Sequence, residues 1–177
     1  MTNAELAILS LVVEKPRHGY EIEQVIESRG MRDWTEIGFS SIYYLLKKLE
    51  SKGYIQSELQ QPEGRGPARK VYTATDAGRQ AWHQGCLDAM RQPEPHNPSF
   101  LLGLSVLPGL EPEAARAALQ AYLDELKIQM ANAAEQRQAQ QPLPPHVDAM
   151  FDYSLTLLQA EIGWLEEFIQ HVQGQQV

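Results

Sequence analysis

The chain has 177 residues, enough for one domain of ordinary size or for two small modules. Its composition of 43% hydrophobic and 21% charged residues is close to the globular average, which argues against a disordered chain and against a membrane protein. A formal net charge of −8 would also argue against a nucleic-acid binder if it were spread evenly along the sequence.

The acidity is confined to the second half of the chain. Residues 1–91 contain 12 Lys or Arg and 12 Asp or Glu, whereas residues 92–177 contain 3 and 11. Within residues 38–75, six basic residues stand against three acidic ones. We therefore expect this segment to be the one that meets phosphates, if the protein binds DNA.

Several classes of protein are excluded by what the sequence lacks. No apolar run reaches the roughly 20 residues that cross a bilayer, and there is no secretory signal pattern, so we expect a cytoplasmic protein. The single cysteine, Cys86, cannot form an internal disulfide or by itself a thiolate metal site. GxSxG, HExxH and P-loop motifs are absent, so we expect no enzyme, no cofactor and no bound metal.

Three helices are predicted in the first 53 residues. Residues 4–13 are almost wholly apolar and rich in helix formers, which indicates a buried helix. A second helix is predicted over about residues 20–28 and a third from about Phe39 to Ser51, where Gly53 follows as a C-terminal cap. The third helix is amphipathic, and its apolar face repeats at the i, i+3, i+4, i+7 spacing through Ile42, Leu45, Leu46 and Leu49.

The pattern then changes to that of a β-hairpin and a fourth helix. Residues 54–60 alternate apolar and polar side chains, and residues 70–75 are rich in β-branched and aromatic types. The connecting segment contains two glycines, two prolines and Arg65, which is typical of a flexible basic turn. A further helix is predicted over residues 76–91.

Three prolines within residues 93–98 mark a module boundary, so we predict a domain over residues 1–92 and another over 98–177. The second has an apolar segment at 100–107 and two long helices, at about 112–141 and 146–173. The last helix has more apolar surface than one neighbouring helix can cover, which predicts a dimer interface.

Together these elements predict a mainly α protein: an N-terminal winged helix-turn-helix of three helices plus a two-stranded wing, and a C-terminal all-helical dimerisation domain. The third helix would enter the major groove of DNA. Tyr43 is expected to pack against the second helix. On the third helix, Ser40, Ser41 and Tyr44 are predicted to contact bases, and Lys47 and Lys48 are predicted to contact phosphates. The predicted contacts from the wing are Arg65, Arg69 and Lys70.

Three segments carry a family resemblance: HGYEI at residues 18–22, SIYYLLKKLESKGYI at 41–55 and GRGPARKVYTATDAG at 64–78. They resemble the PadR family of bacterial transcriptional regulators. The resemblance implies a homodimer that binds a palindromic double-stranded DNA operator, usually to repress a neighbouring gene. It also implies release by a small effector, which is a phenolic acid in the best-known branch of the family.

The resemblance also assigns individual residues. Tyr43 and Leu46 match the core pattern of the family's recognition helix, and Arg69 and Lys70 match its wing signature. One position departs from the pattern, because the family often has proline at the first turn of this helix and the chain has Phe39 there.

An aromatic effector would need an apolar pocket with a few polar groups. The candidate lining residues are His18, Trp82, Phe100, Tyr153 and Trp164, with Tyr122 and Phe151 as further aromatic candidates. The same aromatic residues could instead belong to a core or to the dimer interface. For His18, the sequence favours a residue at the start of a helix that is held by a backbone carbonyl.

Two other functions are compatible with the sequence. An acidic winged helix could serve as an adaptor that binds another protein, and DNA binding that falls steeply with salt would distinguish a regulator from it. A MarR-like regulator is a weaker alternative, because its dimer would need a longer N-terminal extension than this chain has.

Overall fold

The computed structural model describes residues 1–35, 37–38, 41–61, 68–93 and 99–174. By its contacts the chain divides into two compact units, Met1–Pro95 and His96–Val177. Each unit is described by itself.

The first unit contains four helices and three strands in its described part. In chain order these are α1 (Asn3–Glu14), β1 (Arg17–His18), α2 (Gly19–Ser28), α3 (Ile42–Ser51), β2 (Ile55–Gln60), β3 (Arg69–Ala74) and α4 (Asp76–Arg91), with one 3-10 turn at Met31–Asp33. This order confirms the predicted winged helix-turn-helix. Three helices are followed by the two wing strands β2 and β3.

Side-chain caps fix where the helices begin. Thr2 and Glu5 form a capping box at the start of α1, in which each side chain bonds the other residue's backbone amide. Thr75 accepts from the amide of Gly78 at the start of α4, and it also donates to the carbonyl of Gly53 after α3. Thr75 therefore links the end of the third helix to the start of the fourth.

The sheet is antiparallel with the strand order β1-β3-β2. β2 and β3 pair in register from Ile55 opposite Ala74 to Gln60 opposite Arg69. The two-residue strand β1 pairs with the middle of β3, and the sequence did not predict it, because two residues are too few to show an alternating pattern.

The core of the first unit is formed by the apolar faces of α1, α2 and α3 against the base of the sheet. Its fully buried side chains include Ile8, Leu9, Ile22, Ile26, Ile42, Leu46, Leu49 and Ile55. The same face of α3 was predicted from its spacing, so the amphipathic third helix is confirmed. Its described part begins at Ile42, and the predicted start at Phe39 and Ser40 lies outside the described residues.

The described part of the second unit contains only helical elements: α5 (Ser99–Ser105), a 3-10 turn (Leu107–Gly109), α6 (Pro112–Ala139) and α7 (Pro145–Gly174). α6 and α7 are joined by five residues and pack along each other. Their buried core is Leu119, Leu123, Leu126, Ile162, Leu165 and Ile169. Across the described ranges of both units, no helix is long and apolar enough to cross a membrane.

Candidate nucleic-acid interface

The outward surface of α3 is set by the helical repeat. Successive side chains are about 100° apart around a helix, so the four buried leucine and isoleucine residues leave Tyr44, Lys47 and Ser51 pointing away from the core. All three are exposed, and Tyr44 is 65% accessible. Lys47 makes no ion pair with any carboxylate in the described ranges. We call Tyr44, Lys47 and Ser51 the outer stripe.

Tyr43 lies beside the outer stripe. Its ring packs on the backbone of Gly19 at the start of α2, where an added Cβ would come within 2.6 Å of Tyr43 Cε1. The predicted contact with the second helix is therefore present. The ring is nevertheless 62% exposed, so it does not lie on the buried side of α3, which is centred on Leu46 and Leu49.

One flank of α3 is held by a carboxylate of the first helix. Glu5 Oε1 accepts from Lys52 Nζ at 2.7 Å and contacts Lys48 Nζ at 3.0 Å, while Glu5 Oε2 accepts from the backbone amide of Thr2 at 2.9 Å. Glu5 itself is only 1% exposed. We call these three charged residues the Glu5 cluster: Glu5, Lys48 and Lys52.

The electrostatics of the Glu5 cluster favour its charged form. Burial raises the pKa of Glu5, but the hydrogen bonds from Lys52, the Thr2 amide and Lys48 outweigh it and lower the pKa to about 2. The same contact raises the pKa of Lys48. Lys48 was predicted to contact DNA phosphate, and the structure instead gives its ammonium group an internal partner.

The opposite flank of α3 is held by the wing. Glu50 accepts a hydrogen bond from Lys70 Nζ on β3 at 2.9 Å, and a second from the Ser57 hydroxyl on β2. These two hydrogen bonds lower the pKa of Glu50. Lys70 also lies over the ring of Tyr72, 5.2 Å from its centroid. The predicted wing lysine thus joins the wing to α3.

His18 and Arg69 meet where the wing approaches the start of α2. His18 Nδ1 accepts from the amide of Glu21, which caps α2. The predicted place of His18 at a helix start is confirmed, but the predicted carbonyl partner is wrong, because the ring accepts from an N–H. Arg69 Nη1 lies 3.3 Å from His18 Nε2. Tyr20, which sequence reasoning missed, is exposed nearby and stacks on His18.

Of the remaining predicted DNA contacts, the structure describes Ser41 but not Ser40 or Arg65. Ser41 precedes α3 and donates to the carbonyl of Gly38 at 2.7 Å. Ser40 and Arg65 lie outside the described residues. Ser41 therefore lies at the start of α3 and the outer stripe runs along it, whereas Arg69 and Lys70 lie on β3.

The five effector candidates do not share one unit. His18 and Trp82 belong to the first unit, where the Trp82 indole donates to Ser10 Oγ at 3.0 Å and packs against the core. Phe100, Tyr153 and Trp164 belong to the second unit, where Tyr153 is 68% exposed. Trp82 thus packs against the core of the first unit, which was the alternative to a place in an effector pocket.

An aromatic cluster lies on the second unit. Phe100 stacks on Tyr122 with 4.5 Å between ring centroids and meets Trp164 edge-on at 6.1 Å, and Trp164 stacks on Phe168. Tyr122 donates to Glu161 Oε1 at 2.7 Å. Burial, together with this bond, raises the pKa of Tyr122 to about 12. Glu161 is half-buried.

Two open clefts lie along α6 and α7, and neither is lined by the predicted aromatic residues of this unit. The larger, of about 710 Å³, is bordered by the ion pair between Arg137 and Asp148 and by apolar side chains that include Leu143 and Leu155. The second, of about 630 Å³, adjoins it at Leu155. Phe100 and Trp164 are instead packed against each other in the aromatic cluster.

Comparison with known proteins agrees with the fold. Residues 8–84 match the transcriptional regulator PadR-like family. Bacillus subtilis PadR in complex with operator DNA is 23% identical, with a TM-score of 0.77 over 95% of this chain and 98% of that chain. The same protein in complex with p-coumaric acid is 22% identical, with a TM-score of 0.76 over 96% of this chain and 98% of that chain.

The virulence activator AphA of Vibrio cholerae has the same fold, with 20% identity and a TM-score of 0.75 over 97% of this chain and 98% of that chain. A sequence comparison with curated proteins finds no match. Structural likeness at these identities establishes the fold, and the family match covers the winged helix itself. Residues 8–84 are therefore similar to the PadR-like family of transcriptional regulators.

Proposed function

We propose that the protein is a homodimeric repressor that binds double-stranded DNA through α3 and the wing. The observation that carries this proposal is the outer stripe, a row of exposed polar and basic side chains on a helix whose other faces are all held by the rest of the unit. A helix that enters the major groove needs such a rigid mount. A bacterial regulator of this kind acts in the cytoplasm, where its DNA is.

The residues of this surface would have different roles in DNA recognition. We assign the reading of bases to Ser40, Ser41 and Tyr44, and the contact with phosphate to Lys47. Arg65 and Arg69 would contact DNA from the wing, where a basic tip suits the minor groove. DNA binding itself is supported by Bacillus subtilis PadR, which is similar in fold and has been crystallised with operator DNA.

Self-association is supported by an uncovered apolar row on α7. Met150, Tyr153, Leu157 and Trp164 are all exposed and recur at the spacing of one helix face. They are separate from the buried face, which includes Ile162 and Leu165. We infer that a second copy covers this row, and a two-fold dimer would place two copies of α3 on a palindromic operator.

We further propose that a small aromatic molecule releases the repressor from DNA. The second unit offers Phe100, together with Tyr153 and Trp164 from the proposed dimer interface, and Tyr122 adds a phenol that is hydrogen-bonded to Glu161. His18 and Trp82 are further candidates on the first unit. The related PadR of Bacillus subtilis binds p-coumaric acid. Release requires that the ligand bind the two arrangements of the protein with different affinity.

The proposed function is tested by fluorescence anisotropy with a labelled duplex from the promoter region next to the gene. We expect saturable binding that weakens steeply with salt, at about 0.9 log unit per phosphate contact for each log unit of salt. Light scattering in the same buffer should give the mass of a dimer, since the chain alone is 20.0 kDa. Absence of binding at low salt would contradict the proposal, and a monomeric mass would contradict its dimeric form.

A further inference from the structure

We propose that Glu5 is a positioning residue of the recognition helix. Its carboxylate holds Lys48 away from the DNA backbone and leaves Lys47 as the phosphate contact of α3. This inference rests on the proposed DNA-binding function. It concerns a buried side chain of the first helix that belongs to neither the base-reading nor the wing surface. It also gives two adjacent lysines, Lys47 and Lys48, opposite roles.

The geometry makes Glu5 a fixed point. Its carboxylate is used at both oxygens: Oε2 closes the capping box of α1, and Oε1 receives both ammonium groups. A carboxylate that is 1% exposed has no water to replace these partners. Releasing either lysine toward DNA would leave part of a buried charge unpaired, which is unfavourable.

The helical repeat explains why Lys47 and Lys48 differ. They are about 100° apart around α3, so Lys47 points outward while Lys48 points toward α1. Lys52 follows Lys48 by four residues and lies on the same flank, so one carboxylate can hold both. Lys47 is exposed and pairs with no carboxylate in the part of the chain that the structure describes.

The ion pairs also restrict how α3 can move. Lys48 lies in the last turn of α3 and Lys52 is the residue that caps its C-terminus, whereas Glu5 lies in the first turn of α1, 47 residues away from Lys52 in sequence. On the opposite flank, Glu50 binds Lys70 of the wing. The orientation of the outer stripe is thus fixed from both sides. A lysine that holds the helix in this way does not leave its carboxylate for a DNA phosphate.

The test compares how DNA binding depends on salt in charge-neutralised variants. The probe is a random-sequence duplex, and affinity is measured by anisotropy between about 50 and 200 mM salt. In the wild-type background, Lys47→Met should reduce the slope of log affinity against log salt by about 0.9, which is a change of about 3.5-fold over this range. Lys48→Met, the matched control at the next residue, should leave the slope unchanged.

The reverse experiment releases Lys48. Glu5→Gln keeps the shape of the side chain and removes its charge. In a Lys52→Met background, where this change releases Lys48 alone, the freed Lys48 should reach a phosphate and steepen the slope by about 0.9. Adding Lys48→Met to Glu5→Gln should remove this increase. A purely structural role of Glu5 would change affinity without a change of slope that depends on Lys48. Circular dichroism melting of each variant shows whether it is folded.

The outcomes separate the two proposals. If the wild-type protein binds no duplex at low salt, the proposed function fails before this inference is reached. If it binds and Lys48→Met lowers the slope as much as Lys47→Met, the inference is wrong while DNA binding stands. That comparison uses only single lysine variants, so it decides the question even if Glu5→Gln does not fold.

Discussion

The Glu5 cluster predicts a defined dependence of stability on pH. The pKa of Glu5 is about 2 in the folded protein, against an ordinary value of 4.5 for the unfolded chain. Because the folded pKa is the lower of the two, the stabilisation is fully present well above pH 4.5 and is lost as the pH falls toward 2. At neutral pH the difference corresponds to about 3 kcal/mol, since one pKa unit equals about 1.4 kcal/mol.

Comparison with Glu5→Gln isolates this contribution. The difference in unfolding free energy between the wild-type protein and the variant should shrink by about 1.4 kcal/mol between pH 7 and about pH 3.5, by linkage from the two pKa values. Other carboxylates with a lowered pKa, such as Glu14, are present in both proteins and cancel in the difference. Glu58→Gln is the matched control, because Glu58 is exposed on β2.

The assay is urea unfolding followed by tryptophan fluorescence at a series of pH values. Trp164→Phe is introduced into every protein, so that the remaining tryptophans, Trp34 and Trp82, report on the first unit alone. The control should keep a constant difference from the wild-type protein over this range. If the difference for Glu5→Gln were equally constant, Glu5 would not be held ionised by its lysines, and the reasoning would be refuted.

Three further predictions concern other parts of the molecule. Leu46→Ala truncates a core residue with 0% exposure, so urea unfolding should show a loss of about 2–5 kcal/mol, and a loss below 1 kcal/mol would contradict the packing of α3. Tyr122→Phe leaves Glu161 without its donor and should cost about 1 kcal/mol in thermal unfolding, whereas an unchanged melting temperature would mean that the 2.7 Å bond contributes nothing. Arg69→Ala should weaken operator binding in anisotropy without unfolding the protein, and Arg79→Ala on α4 should not. Equal binding by Arg69→Ala and the wild-type protein would remove the wing strand from the interface.

The fold was largely predictable because its elements follow local rules. The spacing of Ile42, Leu45, Leu46 and Leu49 alone identified the buried face of α3, and the alternation in residues 54–60 indicated a wing strand. These patterns depend on neighbours within one or two turns. The short strand β1 could not be found in this way, because its existence depends on pairing with β3, more than 50 residues later.

The partners of the basic residues could not be predicted for the same reason. Lys48 is bound by a carboxylate 43 positions earlier, and Lys70 by one 20 positions earlier, and nothing in the local sequence reveals either contact. Glu5 sits in an apolar helix, where a buried charge would ordinarily be costly. Its place three residues after Thr2 was the available signal, since that spacing indicates a capping box.

These internal ion pairs change how an acidic protein can be expected to recognise DNA. Two of the cations that composition alone would assign to phosphate, Lys48 and Lys70, have carboxylate partners within the first unit. Each protomer would then contact the backbone with few charges, and sequence-independent affinity would be modest. Discrimination between operators would therefore depend on the outer stripe, and on the spacing that a dimer imposes between two copies of it.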